Sequence, residues 1–271
     1  MVSGLKTPQP SRPNLPPPQS PNGVNEAEPP GDGHEAVMGF FDHLNELRSR
    51  LTKAVLALVI GTAIGAVFGA QILTFLKQPY AERFTALGPT DSVVAYFRVS
   101  LLAGAILSIP IITYQLLMFI LPGLTKRERR FVVSSLPAIT VLFLVGAAFA
   151  WVILIPPALN FLSTFQSDIF KAEWTADLYL SFVTALVFWM GVAFETPLVM
   201  FILSLINMVN AGVLIRNWRI AIIGAAVAAA LITPTVDPVN MALVIVPLLA
   251  LYVLSIGLVM IGSRINRAQA A

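Results

Sequence analysis

The 271-residue sequence contains no cysteine and only two histidines, His34 and His43. Disulfides and thiolate ligands are thereby excluded, and a histidine-based metal site has too few donors. Charge is also scarce. Asp, Glu, Lys and Arg make up 11% of the chain, against roughly 25% in soluble domains. Bond-breaking machinery is missing as well. There is no HExxH, no phosphate-cradling glycine loop and no Ser/His/Asp set with a histidine inside an apolar segment. No close pair of aspartates lies within such a segment either. These absences argue against an enzyme and against any metal or cofactor. A net charge of +3 on so few charges is no signature of nucleic-acid binding.

What is abundant is apolar: 57% of the residues are hydrophobic and the mean hydropathy is +0.81. The class is an all-α polytopic membrane protein. Six apolar segments stand out: Ala54–Leu76, Val99–Leu121, Phe131–Ile155, Leu178–Ile206, Ile220–Ile232 and Val239–Gly262. All but the fifth are long enough to cross roughly 30 Å of hydrocarbon at about 1.5 Å per residue. The fifth reaches only about 20 Å, so the bilayer thins there or the helix stops short. The turn Thr233-Pro234-Thr235-Val236-Asp237-Pro238 joins it to the sixth.

Residues 1–36 are rich in Pro, Gly, Ser and Asn, with nine of the twenty prolines. They read as a disordered tail, or as a Pro-rich ligand for a partner, ahead of a membrane domain over 37–271. No signal-peptide apolar core occurs in them. Between tail and first span, Phe40, Leu44, Leu47 and Leu51 recur at helical spacing and form one apolar stripe. Glu46 can reach Arg50 on another face. The pattern predicts an amphipathic helix at the membrane surface that feeds the first span. Lys and Arg near the span ends number eleven on one side and four on the other. The positive-inside rule therefore puts both termini in the cytoplasm. Prolines 110, 137, 197 and 247 lie inside spans and Pro156-Pro157 at a span end. They bend helices either to wall a cavity or for packing alone.

Two acidic residues need a reason. Glu195, in Phe194-Glu195-Thr196-Pro197, stands near the middle of the fourth span, where a charge is costly. It is either a hydrogen-bonded structural group or a functional group facing a cavity or partner. Glu128 lies among four bases in Lys126-Arg127-Glu128-Arg129-Arg130. It is either an internal salt-bridge partner or a ligand site that those bases orient. Gln115 and Phe119, one helical turn apart, lead toward it.

Together these stretches resemble the TatC family, the signal-peptide receptor subunits of the twin-arginine protein translocase. The resemblance rests on His43-Leu44-Asn45-Glu46-Leu47-Arg48-Ser49-Arg50-Leu51 and on Ser108-Ile109-Pro110-Ile111-Ile112-Thr113-Tyr114-Gln115, running through Phe119 to Arg130. Leu180-Ser181-Phe182, Phe194-Glu195-Thr196-Pro197, Thr233-Pro234 and Asp237 complete it. These pieces occur in family order over roughly residues 38–262. Ser49 stands where the family is often basic, and Val236 and Pro238 flank Asp237 where a Pro-Asp step is common.

The resemblance implies six transmembrane helices in a concave, glove-like bundle, with a short fifth and sixth helix. It implies a receptor in the cell inner (cytoplasmic) membrane that moves folded proteins with the proton motive force, in an oligomeric complex with TatA and TatB single-span subunits. Glu46 and Glu128 would hold the twin-arginine motif, surrounded by Leu47, Arg48, Gln115, Phe119 and Arg130. Glu195 and Thr233 would be intramembrane polar groups for partner docking, and Pro79 and Asp237 sensitive positions of the outer loops. Side chains of an extended peptide alternate in direction, so two arginines need two acceptors on opposite sides. A proton-coupled transporter with Glu195 as proton site, or a membrane scaffold, are the competing classes. No inverted repeat supports the former.

Overall fold

A computed structural model describes residues 33–80, 84–120, 126–169, 173–233 and 237–270. The side chains of 33–42, 126–128, 131 and 265–270 lie outside that description. The chain falls into two units, Met1–Leu44 and Asn45–Ala271. Of the first, only the opening turns of one helix are described; the second holds everything that follows. The disordered tail expected over residues 1–36 lies almost wholly outside the described residues.

The described residues are helical throughout, apart from turns and one isolated bridge between Thr85 and Thr175. In chain order the helices are α1 (Gly33–Val67), α2 (Gly69–Leu76), α3 (Asp91–Ile120), α4 (Lys126–Phe149), α5 (Ile155–Thr164), α6 (Ala176–Leu205), α7 (Ala211–Arg216), α8 (Trp218–Ile232) and α9 (Pro238–Ala270). Among the described residues, five stretches are long and apolar enough to cross a membrane: His43–Val67, Asp91–Ile120, Val132–Thr164, Ala176–Leu205 and Pro238–Arg264. Helix α8, at 15 residues, is the shorter apolar helix that the fifth segment led us to expect.

Four details depart from the sequence reading. The amphipathic stretch and the first span are one continuous helix, because nothing between Phe40 and Val67 breaks the pattern. The break comes later, at Phe68, where φ −102° and ψ 6° leave the helical region just before Gly69. The first apolar run is thus two helices. The third span does not end at Ile155. A π-helical turn, Ala150–Leu154, precedes Pro156-Pro157, and the prolines occupy the first positions of α5, where their missing N–H groups cost nothing. The sixth helix is not short: α9 runs 33 residues, since Pro247 is accommodated inside it and no breaker follows Gly262.

Helix α6 is the hub and packs against α9, α4 and α3. Thr175 caps its N-terminus by accepting the Leu178 N–H. Leu180, Val183, Leu186 and Met190 pack with Val99, Leu102, Leu154 and Ile155 in the larger core. A smaller core joins Leu117, Met118, Val132, Ile139 and Ile202 toward the other end.

Helix α1 crosses α3 on small residues. A Cβ at Gly104 would stand 2.4 Å from the Thr62 backbone nitrogen, and one at Gly61 would stand 2.6 Å from the Gly104 carbonyl oxygen. Only glycine permits that approach, and apolar surroundings reward it through packing and cross-helix hydrogen bonds. The Ser108 hydroxyl donates to the Ala57 carbonyl at 2.8 Å, and the Tyr96 hydroxyl donates to that of Ala66. The α1–α3 seam is therefore held at fixed register, and it is this seam that positions the site below.

Candidate functional site: a groove between α1 and α3

At the C-terminal end of α3, the seam opens into a groove of about 160 Å³. Its lining is Leu47, Arg50, Leu51 and Ala54 from α1, with Ile112, Gln115, Leu116 and Phe119 from α3. The apolar positions follow from spacing. Leu47, Leu51 and Ala54 share one face of α1, while Ile112, Gln115, Leu116 and Phe119 share one face of α3. Leu51 and Leu116 remain 58% and 54% exposed, so an incoming apolar chain can reach them.

Glu46 stands beside this groove, one residue before Leu47. Arg50 donates to it twice, from Nε at 2.9 Å and from Nη2 at 2.5 Å, and both bonds fall on Oε1. The second oxygen, Oε2, takes no part in this pair. The Glu46 side chain is 37% exposed, so water and a guest can reach it. An i,i+4 pair of this kind contributes about 0.3–0.5 kcal/mol, a weak hold that a bidentate guest can replace. Arg48 is exposed, and its carbonyl accepts from the Thr52 hydroxyl.

Three of the residues implied by the family resemblance thus come together in the groove, Leu47, Gln115 and Phe119, and Glu46 is tied to it through Arg50. Arg130 is exposed near the start of α4. Its neighbour Arg129 donates to the Tyr114 hydroxyl at 3.3 Å, tying α4 to α3 one residue before Gln115. The Glu128 side chain lies outside the described residues.

Glu195 is 7% exposed on α6. Its Oε2 accepts from the Thr113 hydroxyl of α3 at 3.2 Å. Its Oε1 is buried with no hydrogen-bond partner among the described residues. Thr113 is two residues from Gln115 and therefore points to another face of α3. One helix thus carries both the groove and the contact to Glu195.

The remaining expected residues gather at the opposite end. Thr233 is buried and donates to the Ala229 carbonyl of its own helix at 2.7 Å. It packs beside Phe182 and Leu186, about 14 Å along α6 from Glu195 at 1.5 Å per residue. The fold does not bring those two polar groups together. Asp237 starts α9: Oδ1 accepts the Asn240 backbone N–H at 2.7 Å, and Oδ2 accepts the Asn240 side-chain amide at 2.9 Å. Pro79 follows α2 and lines a recess of about 730 Å³ with Tyr80, Trp151 and Trp174. Stacked and tilted rings of Tyr80, Phe84, Trp174 and Tyr179 fasten that end, and the Tyr179 hydroxyl donates to the Leu76 carbonyl at 2.8 Å.

Sequence reasoning missed Ile112 and Leu116 as groove walls, Thr113 as the Glu195 partner, and the ion pair of Arg98 with Asp177 at 2.9 Å. The first two share the α3 face of Gln115 and Phe119, and helical spacing could have found them. The other contacts join residues 82 and 79 positions apart, which no local pattern encodes.

Comparison with known proteins bears directly on this arrangement. The family profile TatC, Sec-independent protein translocase protein, matches residues 42–247. An uncharacterized tatC-like protein, ycf43, of Gracilaria tenuistipitata var. liui is 37% identical over 79% of this chain and 91% of its own. The Sec-independent protein translocase protein TatC of Synechocystis is 34% identical over 83% of this chain and 89% of its own. A crystal structure of the twin arginine translocase receptor TatC superposes with a TM-score of 0.72 at 34% identity, covering 82% of this chain and 99% of that one.

Proposed function

Because the chain belongs to the TatC family, and is thus a membrane component of the Sec-independent protein translocase, we propose that it is the subunit that receives twin-arginine signal peptides. The observation that carries this reading is the α1–α3 groove, with apolar walls and an accessible carboxylate paired to its lining residue Arg50. Arginine presents a planar fork that a carboxylate accepts in two parallel hydrogen bonds, and lysine cannot reproduce that geometry. One arginine of the motif takes Glu46, displacing Arg50 from Oε1 or using Oε2. Glu128, on the first turn of α4, takes the other from the opposite side. Arg48 and Arg130 keep the two acids oriented, and the apolar part of the signal lies along Leu47, Gln115 and Phe119.

In this reading six helices span or enter the membrane, α8 being the short one, and both termini are cytoplasmic. The excess of Lys and Arg at the Glu46 end supports that orientation. The protein sits in the inner membrane and works in an oligomeric complex with TatA and TatB single-span subunits, drawing on the proton motive force. Glu195 serves assembly. Among the described residues its buried Oε1 has no donor, and a polar residue on a partner helix would supply one. Pro79 and Asp237 act from the outer side, where they shape the loops.

Export of a folded reporter bearing a twin-arginine signal, in cells that depend on this chain, tests the proposal. The reading expects export with Arg-Arg and loss of export with Lys-Lys. Equal export of both signals would overturn it.

A further inference from the structure

A second groove lies at the far end of the same helices, and nothing in the proposed receptor function uses it. It holds about 450 Å³ and opens sideways between α1, α3 and α6. Leu58, Leu101, Leu102, Ala105, Ala185 and Phe188 make it apolar, and Arg98 stands at its mouth. The Arg98 guanidinium is anchored on one nitrogen. Nη1 meets Asp177 Oδ1 at 2.9 Å, donates to the Asp177 carbonyl at 2.7 Å and donates to the Ser181 hydroxyl. Among the described residues, Nε and Nη2 carry no hydrogen bond. The arginine is thus held in place with its other edge open, and its side chain is 30% exposed.

Its depth decides what can reach that edge. Helix α3 has 30 residues, about 45 Å, and a hydrocarbon core of roughly 30 Å leaves about 7 Å beyond it at each end. Arg98, the eighth residue of α3, lies about 10 Å from its start and so a few ångströms inside that core, from which its long side chain reaches back to the boundary where lipid phosphates lie. An entire helix is too thick for the groove, since one turn about 10 Å wide would fill it. An acyl chain is not.

The geometry points to a phospholipid site: the phosphate is taken by Nε and Nη2 of Arg98, and one acyl chain lies along Leu58, Leu101, Ala105 and Phe188. The lipid closes the lateral opening between α1 and α6 and adds a fourth contact to the α3–α6 ion pair.

Native mass spectrometry of the full-length protein in nonionic detergent reads this directly, with phosphatidylethanolamine and a diacylglycerol of the same chains as probes. One phospholipid should be retained, about tenfold or more over diacylglycerol, as expected for a charge-assisted pair. Arg98→Gln should abolish that preference. Ala105→Phe fills the groove without touching the arginine and should abolish retention of both probes. Equal retention of the two probes by the unaltered chain, or wild-type retention by Ala105→Phe, would overturn the proposal. The chain has no cysteine, so a benzophenone on Leu101→Cys can report the occupant in whole membranes. An adduct of lipid mass supports the site, whereas a protein-sized adduct assigns the groove to a partner helix and refutes it. Neither readout involves signal peptides, so this site and the receptor site can fail separately.

Discussion

Replacing Glu46 by Gln keeps the shape of the side chain and removes its charge. A hydrogen bond to a charged group contributes about 1.5–3 kcal/mol when buried. The Glu46 side chain is 37% exposed, which places it at the lower end, near about 1.5 kcal/mol, or roughly tenfold in Kd. The competing Arg50 contact subtracts little, since exposed i,i+4 pairs contribute only about 0.3–0.5 kcal/mol. Glu46→Gln should therefore weaken a twin-arginine peptide about tenfold, while Arg50→Gln should leave its affinity within about twofold. Fluorescence anisotropy of a labelled signal peptide against the protein in nanodiscs measures both. The two variants together separate two physical pictures. If Arg50 locked Glu46 into an internal pair that no guest can enter, Glu46→Gln would leave binding unchanged, and the reasoning would be refuted.

Other expectations concern the frame around that site. Gly104→Leu should separate α1 from α3, because a Cβ there already stands 2.4 Å from backbone; a thermal shift in detergent should fall sharply, and an unchanged midpoint would contradict the close crossing. Asp237→Ala removes the cap of α9 and should cost about 0.5–2 kcal/mol, read by the same assay, with Asp237→Asn recovering much of it. Tyr179→Phe deletes the buried bond to the Leu76 carbonyl and should cost about 1 kcal/mol, seen as earlier unfolding of the Pro79 end by hydrogen exchange. Glu195→Ala should weaken co-purification of single-span partners while leaving peptide affinity near wild type; loss of peptide affinity with normal assembly would reverse the assignment.

Much of this architecture was legible because membrane helices announce themselves by length and composition. The long spans and the short α8 follow from counting apolar residues, and the Glu46–Arg50 pair follows from spacing on one helix. The misreadings share a cause. Proline and glycine act according to what surrounds them, so Pro156-Pro157 opens α5 after a π-helical turn instead of ending a span, and the α1–α2 break depends on backbone angles at Phe68. At the site, Leu47, Gln115 and Phe119 were reached through the motifs and now share one groove. The Thr113–Glu195 bond and the Arg98–Asp177 pair were out of reach, because they depend on how α3 lies against α6. Thr233 adds a fact of packing that the sequence does not carry. Grouped with Glu195 as a polar intramembrane residue, it spends its hydroxyl on its own helix at the far end of the bundle.

Distance-resolved crosslinking tests the central assignment most directly. With no native cysteine to interfere, Gln115→Cys can be paired with a signal peptide carrying one cysteine beside its two arginines. A disulfide should form with the Arg-Arg peptide and fade with its Lys-Lys counterpart and with Glu46→Gln. Equal yields from all three, or no crosslink from Gln115 while Leu101→Cys at the opposite end captures the peptide, would contradict the account.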